Sequence, residues 1–270
     1  MEVTVVIPAG PPSHWHSLAR AVASARSQTH RPAAVVVVVD RDTAYFRRIR
    51  RDLAGVTVLE NDRGPDGGPD TGAYYAATEL IAFLADDVIA DPGWLAGLTH
   101  ALRDPAVVGA GGGVRPDWPD GRPRWLADEL TWTVVPHPRP AGMIVRRGVF
   151  RQVGGFGRRP GDLPMRMRAL TGGRWRHVPD AVLRHEVPGH AVSFRAYLRR
   201  CFAEGRPVLR PMPRAVLGNL RAALRGRGAG HALRAGGALA GMAAAGAGLM
   251  TARRPVGPAR TRLMDRPPVG

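Results

Sequence analysis

The feature that most constrains this chain is a series of short apolar runs in its first 115 residues, each ended by polar or turn-forming residues. Runs of this kind are typical of strands that are buried on both faces of a parallel sheet. The sequence predicts strands at residues 3–8, 34–39, 56–60 and 81–84, and another from residue 107 onward.

The segments between these runs have helical periodicity. Apolar residues recur on one face in segments 15–25, 45–53 and 92–102. Ser13 and Asp91 precede two of these segments, and we expect them to be N-caps. Strands that alternate with helices predict an α/β fold, with a mostly parallel sheet flanked by helices.

Acidic residues follow two of the predicted strands. Asp40 and Asp42 come after the second strand, and Asp86 and Asp87 come after the fourth. Ligands of such sheets bind beyond the carboxyl ends of the strands. Adjacent carboxylates repel unless a cation or hydrogen-bond donors lie between them, and their oxygens suit Mg²⁺ or Mn²⁺ bound with a diphosphate. The alternative is that both acids only cap the loop before Asp91, because strand ends are often polar.

Several common motifs are excluded. Residues 8–12 lack the glycine fingerprint of dinucleotide-binding folds. All 39 residues counted as Lys or Arg are arginine, so the chain has no lysine for a Walker A motif. His185 and His190 are five residues apart rather than four, with a proline and a glycine between them, which excludes the helical zinc-protease motif. One cysteine, Cys201, excludes a disulfide framework and a cysteine-rich zinc module.

Charge is distributed unevenly along the chain, whose formal net charge is +17. Residues 1–130 hold 13 arginines and 17 acidic residues, a net of −4, whereas residues 131–270 hold 26 arginines and 5 acidic residues, a net of +21. This asymmetry indicates an anionic partner for the second half, such as a membrane surface, a nucleic acid or a phosphorylated substrate. Aromatic residues do not alternate with the arginines as in nucleic-acid stacking platforms, so we expect no specific nucleic acid.

The composition changes again at Arg206, after which no acidic residue occurs until Asp265. Residues 235–252 carry no charge but consist mostly of alanine and glycine, which favours an interfacial or protein-packed helix over the alternative, a membrane-spanning one. We expect residues 260–270 to be disordered. Glu2 leads at once into an apolar run with no basic segment before it, so we expect no secretory signal and a cytoplasmic location.

Five segments, in order, resemble the family-2 glycosyltransferases of the nucleotide-sugar-binding GT-A fold. The run Thr4 to Pro8 is similar to that family's first strand, and Val35 to Asp40 to the strand whose last residue reads the nucleotide base. Residues 83–95 are similar to its metal-binding strand and the helix that follows. Residues 111–114 are similar to its glycine turn, and residues 149–156 to the stretch before its catalytic acid. The resemblance covers about residues 3–205.

The resemblance implies roles for individual residues. The nucleotide-sugar contacts fall on Pro8, Ala9, Asp40, Asp42, Asp86 and Asp87. A divalent cation, Mg²⁺ or Mn²⁺, falls on Asp87 and His185, and the catalytic base falls on Asp162.

The chain also departs from the family pattern. Ala85 stands where the family often has the first of three acids. Residues 68–72 lack the arginine of its Ala-Arg-Asn-x-Gly stretch. In the segment 161–164, where the family often has two acids, Asp162 is the one acid present.

The leading hypothesis is therefore an inverting glycosyltransferase that moves a sugar from a nucleoside-diphosphate sugar to a glycan, lipid or small-molecule acceptor. It would lie peripherally on the inner face of the cell membrane, attracted by an anionic membrane surface. The alternative is a catalytically inactive GT-A-fold protein that retains nucleotide or glycan binding, motivated by Ala85, Pro69 and Pro164. We expect a nucleotide-sugar half at 1–115, an acceptor and catalytic half at 116–208, and a basic helical C-terminal tail at 209–270.

Overall fold

The computed structural model describes residues 1–64, 66–119, 121–133, 142–157, 160–187, 193–204, 209, 211–225 and 229–251. They belong to two compact units: unit 1 is Met1–Gly121 with Val135–Gly189, and unit 2 is Arg122–Val134 with His190–Gly270. These units are defined by compactness alone. The predicted nucleotide-sugar half (1–115), acceptor and catalytic half (116–208) and tail (209–270) are defined by role and stay predictions. His190 and the expected disorder of residues 260–270 lie outside the described residues.

Unit 1 is built on one eight-stranded sheet in the order β3-β2-β1-β4-β7-β6-β8-β5. Its strands are β1 (Val3–Ala9), β2 (Ala34–Val39), β3 (Thr57–Glu60), β4 (Leu80–Phe83), β5 (Val88–Ala90), β6 (Val107–Asp117), β7 (Met143–Arg146) and β8 (Arg174–Glu186). Strands β3, β2, β1 and β4 are parallel neighbours, as are β6 and β8. Strand β7 runs antiparallel to β4 and β6, and β5 runs antiparallel to β8. The predicted α/β class and mostly parallel sheet are confirmed.

Helices cover both faces of this sheet. They are α1 (Trp15–Arg26), α2 (Thr43–Asp52), α3 (Gly68–Tyr75), α4 (Trp94–Ala101), α5 (Arg147–Gln152) and α6 (Leu163–Thr171). Helices α1, α2 and α4 share one hydrophobic core with the sheet, and α3, α5 and α6 share the other. Consecutive residues of β1 alternate between the two cores, with Val5 and Ile7 in the first and Val6 in the second. An uninterrupted apolar run is therefore what a strand between two helical layers requires.

Two predicted helix starts are wrong. Ser13 lies inside a 3₁₀ helix (Pro12–His14), and α1 follows with His14 as its N-cap. The N-cap of α4 is Gly93, whereas the Asp91 carboxylate lies 2.7 Å from the Arg184 guanidinium, on a neighbouring strand of the sheet. In both cases a short turn precedes the helix, so the polar residue lies too early in the chain to cap it.

Unit 2 contains α7 (Phe194–Glu204), α8 (Met212–Leu224), α9 (Ala229–Thr251) and a 3₁₀ helix (Asp128–Thr133). Residues 235–251 of the uncharged run belong to α9, and small residues among them pack closely against α7. A Cβ atom at Gly241 would overlap the Tyr197 hydroxyl, and one at Gly248 would overlap the Phe202 carbonyl oxygen. Within the described residues, no helix is both long enough and apolar enough to cross a membrane.

Close packing in unit 1 generates the first prediction. A Cβ at Gly72 of α3 would overlap Val6 Cγ1 of β1, whereas a Cβ at Gly97 of α4 would make ordinary 3.6 Å contacts with Val178 and Ala181. We expect Gly72→Ala to lower the free energy of unfolding by about 1–3 kcal/mol, the usual cost of overpacking. Gly97→Ala is the matched control and should leave stability unchanged or raise it by up to about 1 kcal/mol. Urea unfolding measures both, and equal effects of the two substitutions would contradict this account of α3.

Candidate functional site

The carboxyl ends of four parallel strands meet at one edge of the sheet of unit 1. Ala9 at the end of β1 pairs with Val39 at the end of β2, and Val39 pairs with Glu60 at the end of β3. Pro8 and Ala9 are half-buried there, and Asp40 is exposed immediately after β2. The predicted contacts from the first two strands therefore lie at the edge where ligands of such sheets bind.

Asp86 joins the end of β1 to the loop between β4 and β5. The Gly10 N–H donates a 2.9 Å hydrogen bond to Asp86 Oδ2, and His14 Nδ1 lies 3.1 Å from the same oxygen. A Cβ atom at residue 10 would lie 2.5 Å from Asp86 Oδ2 and 2.9 Å from His14 Nδ1, so a larger residue would displace these side-chain atoms. The loop after β1 and the acid pair after β4 thus form one structure.

The Asp86 side chain is mostly buried, with 13% of it exposed. Burial raises the pKa of Asp86 above its ordinary value, and the charge of Asp87 acts in the same direction. The hydrogen bond from Gly10 and the contact with His14 lower the pKa but do not cancel the rise. A cation at this loop would relieve both the burial cost and the repulsion between the two acids.

Asp87 and His185 are brought together by the pairing of β5 with β8, in which Val88 lies opposite His185. His185 Nδ1 lies 3.1 Å from the Asp87 carbonyl oxygen and 3.7 Å from Asp87 Oδ2. Because a carbonyl oxygen only accepts, Nδ1 carries the hydrogen, and in the neutral ring Nε2 keeps its lone pair. A histidine oriented in this way is the usual form of a metal ligand.

The donors at this position fit part of a coordination sphere. Within the residues that the structure describes, no three His, Cys, Asp or Glu side chains form a group that could hold a metal ion. The side chain of His185 is 8% exposed and that of Asp87 is 33% exposed, so the pair presents one carboxylate with access to solvent. A hard divalent cation would suit the carboxylate oxygens, with further oxygens supplied by a ligand.

Asp40 is positioned by a buried asparagine, Asn61, which follows β3. The Asn61 Nδ2 amide donates to Asp40 Oδ1 and to the Gly64 carbonyl oxygen. Its Oδ1 accepts from the Arg63 N–H and the Thr71 hydroxyl, each at 3.0 Å. All hydrogen-bonding positions of this side chain are therefore used to fix the ends of β2 and β3 and the start of α3.

Asp42 has a structural role at the start of helix α2. It is the N-cap of α2, and its Oδ1 accepts the Tyr45 N–H at 2.8 Å. Tyr45 is buried, and within the described part of the chain its hydroxyl has no hydrogen-bond partner. Burial raises the pKa of Tyr45, and the charges of Asp86 and Asp42 raise it further. The α2 side of the site thus holds a phenol that remains protonated beside the acid pair.

Asp162 lies at the N-cap position of α6, in unit 1, where Arg166 holds it. Arg166 Nε donates to Asp162 Oδ1 at 2.6 Å, and about 30% of each side chain is exposed. The same guanidinium donates 2.7 Å hydrogen bonds to the carbonyl oxygens of Val153 and Phe156. The predicted base therefore belongs to a rigid turn, and its described contacts are with that turn rather than with the acid pair.

A cavity of about 300 Å³ lies beside this turn. Its walls include two arginines whose guanidinium carbons lie over the ring of Tyr74: Arg63 at 4.7 Å and Arg151 at 5.5 Å. Asp70 is also in the wall, where its Oδ1 accepts the Phe156 N–H at 2.9 Å. Guanidinium groups in a cavity wall suit phosphate groups.

Sequence reasoning missed several residues of this site. Gly10, His14 and Asn61 contact predicted site residues, and Tyr45 lies in the electrostatic field of two of them. Asn61 could have been found, because it follows β3 just as Asp40 follows β2 and Asp86 follows β4. Nothing in the local sequence distinguishes His14 or Tyr45 from ordinary helix residues.

Comparisons with known proteins agree on one family. The sequence profile of "Glycosyl transferase family 2" matches residues 4–163, more than half of the chain. A glucosyl-dolichyl phosphate glucuronosyltransferase of Haloferax volcanii is 27% identical over 236 residues, which cover 76% of this chain and 75% of the relative. A pre-mycofactocin glycosyltransferase of Mycobacterium tuberculosis is 26% identical over 220 residues, which cover 64% of this chain and 46% of the relative.

A solved structure shares the fold. A mannosyltransferase from Pyrobaculum calidifontis, in complex with GDP-Man and Mn²⁺, aligns with a TM-score of 0.54 and 19% identity. The alignment covers 92% of this chain and 74% of that one. The predicted GT-A-like architecture is confirmed.

The Asn61 network generates the second prediction. In Asn61→Asp the Nδ2 donor becomes an oxygen that faces the Asp40 carboxylate and the Gly64 carbonyl, so two hydrogen bonds become repulsive contacts. We expect the free energy of unfolding at pH 7 to fall by about 1–3 kcal/mol, the cost of unsatisfied buried polar groups. Asp62→Asn is the matched control, since an amide oxygen still accepts from the Thr71 hydroxyl that now contacts Asp62 Oδ1. Chemical denaturation distinguishes them, and a fully stable Asn61→Asp variant would show that the network does not hold the strand ends.

Proposed function

This chain belongs to glycosyl transferase family 2 and is a glycosyltransferase, and from this we propose that it transfers a sugar from a nucleoside-diphosphate sugar with inversion at the anomeric carbon. The observation that carries the proposal is the joined loop at the sheet edge, where Gly10 binds Asp86 and Asp87 lies against His185. This loop combines a close backbone approach with an acid pair that a cation would stabilise.

The donor would lie across the carboxyl ends of β1, β2 and β4. Pro8 and Ala9 would form the floor, and Asp40, fixed by Asn61, would accept from the base or ribose. Asp86 would contact the ribose or the cation. Asp42 uses Oδ1 to cap α2, so its contribution to the donor would come from Oδ2.

A divalent cation would be held by an Asp87 carboxylate oxygen and by His185 Nε2, with diphosphate oxygens as further ligands. When bound, the cation would neutralise the charge of the leaving diphosphate. The Pyrobaculum mannosyltransferase of the same fold was solved with GDP-Man and Mn²⁺, which supports a divalent ion here. Mg²⁺ and Mn²⁺ both suit carboxylate and phosphate oxygens.

Asp162 would act as the catalytic base. Inverting transfer needs a carboxylate that takes the proton of the acceptor hydroxyl while its oxygen attacks the anomeric carbon opposite the diphosphate. Arg166 occupies Asp162 Oδ1, so the other oxygen would face the acceptor, with the carboxylate plane fixed by the turn that Arg166 holds.

The acceptor would be a glycan or a lipid-linked sugar. The Haloferax relative is named for transfer to a glucosyl-dolichyl phosphate, which supports a phosphorylated lipid carrier. The cavity beside Gly155, with Arg63 and Arg151 over Tyr74, offers cationic groups for such an acceptor. The net charge of +21 in residues 131–270 favours action at an anionic membrane surface, peripheral on its cytoplasmic face.

The third prediction concerns the cation. Asp87→Asn removes the negative charge opposite the metal and should weaken Mn²⁺ affinity in the presence of nucleoside diphosphate by at least about 10–100-fold. Isothermal titration of the diphosphate with and without Mn²⁺ measures the metal-dependent part of binding. Asp180→Asn, at an exposed position of β8, is the control and should leave that part unchanged. Equal metal dependence in wild type and Asp87→Asn would exclude this cation site.

The fourth prediction concerns the base. A general base contributes about 10²–10⁴-fold in rate, so Asp162→Asn should lower the transfer rate by that factor and leave donor binding nearly unchanged. The measurement is sugar transfer from a panel of nucleoside-diphosphate sugars, with Asp180→Asn as the control again.

An Asp162→Asn variant as fast as wild type would exclude Asp162 as the base. If wild type binds nucleotide but transfers no sugar from any donor, the inactive GT-A-fold binding protein becomes the better account.

A further inference from the structure

Helix α8 of unit 2 carries a leucine stripe, defined as Leu217, Leu220 and Leu224, which are exposed by 54%, 41% and 87%. The three residues lie at spacings of three and four, so they share one face of the helix. Three adjacent leucines on an exposed face cost solvation free energy unless something covers them.

The stripe is not the side of α8 that packs inside unit 2. The buried residues of α8 are Met212, Ala215, Val216 and Asn219, and at about 100° per residue their centre lies about 120° around the helix from the centre of the stripe. Asn219 is fixed there, since its Nδ2 donates to the Ala215 carbonyl oxygen and its Oδ1 lies 3.0 Å from His231 Nδ1 of α9. The helix therefore has one face buried in its own unit and, beside it, a second apolar face that is exposed.

Arginines flank the leucine stripe on one side. Arg214, Arg221 and Arg225 are all exposed, and they lie about 40–80° around the helix from Leu217. The aliphatic stems of arginine extend an apolar face, while the guanidinium groups reach polar or anionic groups at its border. No acidic residue occurs from Arg206 to Met264, so neither α8 nor α9 carries a carboxylate of its own beside this row.

We propose that α8 docks in the plane of an anionic membrane surface, with the leucine stripe at the boundary of headgroups and acyl chains and the three arginines at the lipid phosphates. An exposed apolar stripe beside a basic row is the pattern of interfacial helices. A nucleic-acid surface would use the arginines without the leucines, whereas a lipid surface uses both, with phosphates beside an apolar layer. The proposal rests on the membrane part of the proposed function and assigns that part to named residues.

The test is sedimentation of the full chain with vesicles of phosphatidylcholine alone or with 30% phosphatidylglycerol, a composition chosen at about physiological anionic content. We expect binding to the anionic vesicles and a loss of at least about tenfold in partition coefficient for Leu217→Gln/Leu220→Gln/Leu224→Gln. Arg214→Gln/Arg221→Gln/Arg225→Gln should lose about fivefold in partition coefficient per arginine on anionic vesicles, and its binding should depend less on salt than that of wild type.

The matched control is Met165→Gln/Leu170→Gln, which removes two exposed apolar residues of α6 in unit 1 and should not change binding. Leu224→Gln alone is a second variant that cannot disturb the packing of α8, because Leu224 is 87% exposed. Nucleoside diphosphate binding, measured on each variant, shows that unit 1 is intact and keeps this test separate from the test of the transferase reaction.

Three outcomes would overturn the proposal. Wild-type binding by the triple leucine variant would show that the stripe does not contact lipid. Binding that is lost equally in the control would show a non-specific effect of surface polarity. A wild-type dimer that becomes a monomer in the leucine variant, with no vesicle binding by either, would assign the stripe to a second copy of the chain.

Discussion

The hydrogen bond from the Gly10 N–H to Asp86 is the contact on which the rest of the site depends. It ties the loop after β1 to the loop after β4, and a side chain at residue 10 would press on the Asp86 oxygen that accepts it. Once Asp86 is fixed, Asp87 and β5 follow directly along the chain, and the pairing of β5 with β8 brings His185 from almost a hundred residues away. The Gly10 contact and the β5–β8 pairing together link the end of β1, the loop after β4 and β8 at this site.

The electrostatics of the sheet edge are unfavourable in the protein alone. Burial and the charge of Asp87 both oppose ionisation of Asp86, and the phenol of Tyr45 is buried nearby without a partner among the described residues. A protein that only needed to fold would gain stability by replacing such groups with apolar ones. The proposed cation and diphosphate would supply positive charge and hydrogen-bonding groups at this edge.

The sequence predicted those elements of the fold that local pattern decides. Strand β2 is an alanine followed by five valines, and no helix-forming pattern competes with it. Helix α3 was not predicted, because its sequence Gly-Pro-Asp-Thr-Gly disfavours a helix and its formation depends on packing of Gly72 against β1. Strand β8 was also missed, since it is rich in exposed charged residues and contains Pro179. The position of His185 beside Asp87 follows from long-range pairing that no local pattern contains, and its expected role came from the family resemblance.

The close packing of α9 against α7 has a consequence for how this chain can change over evolutionary time. Glycine and alanine codons differ by a single base, so mutation interconverts them freely, above all in genes rich in guanine and cytosine. At Gly241 and Gly248 that step is blocked by the Tyr197 hydroxyl and the Phe202 backbone, whereas at Gly236 and Gly246 the space around the missing side chain is open. Helix α9 therefore contains two kinds of glycine: positions where a single-base change to alanine would create a clash, and positions where it would not.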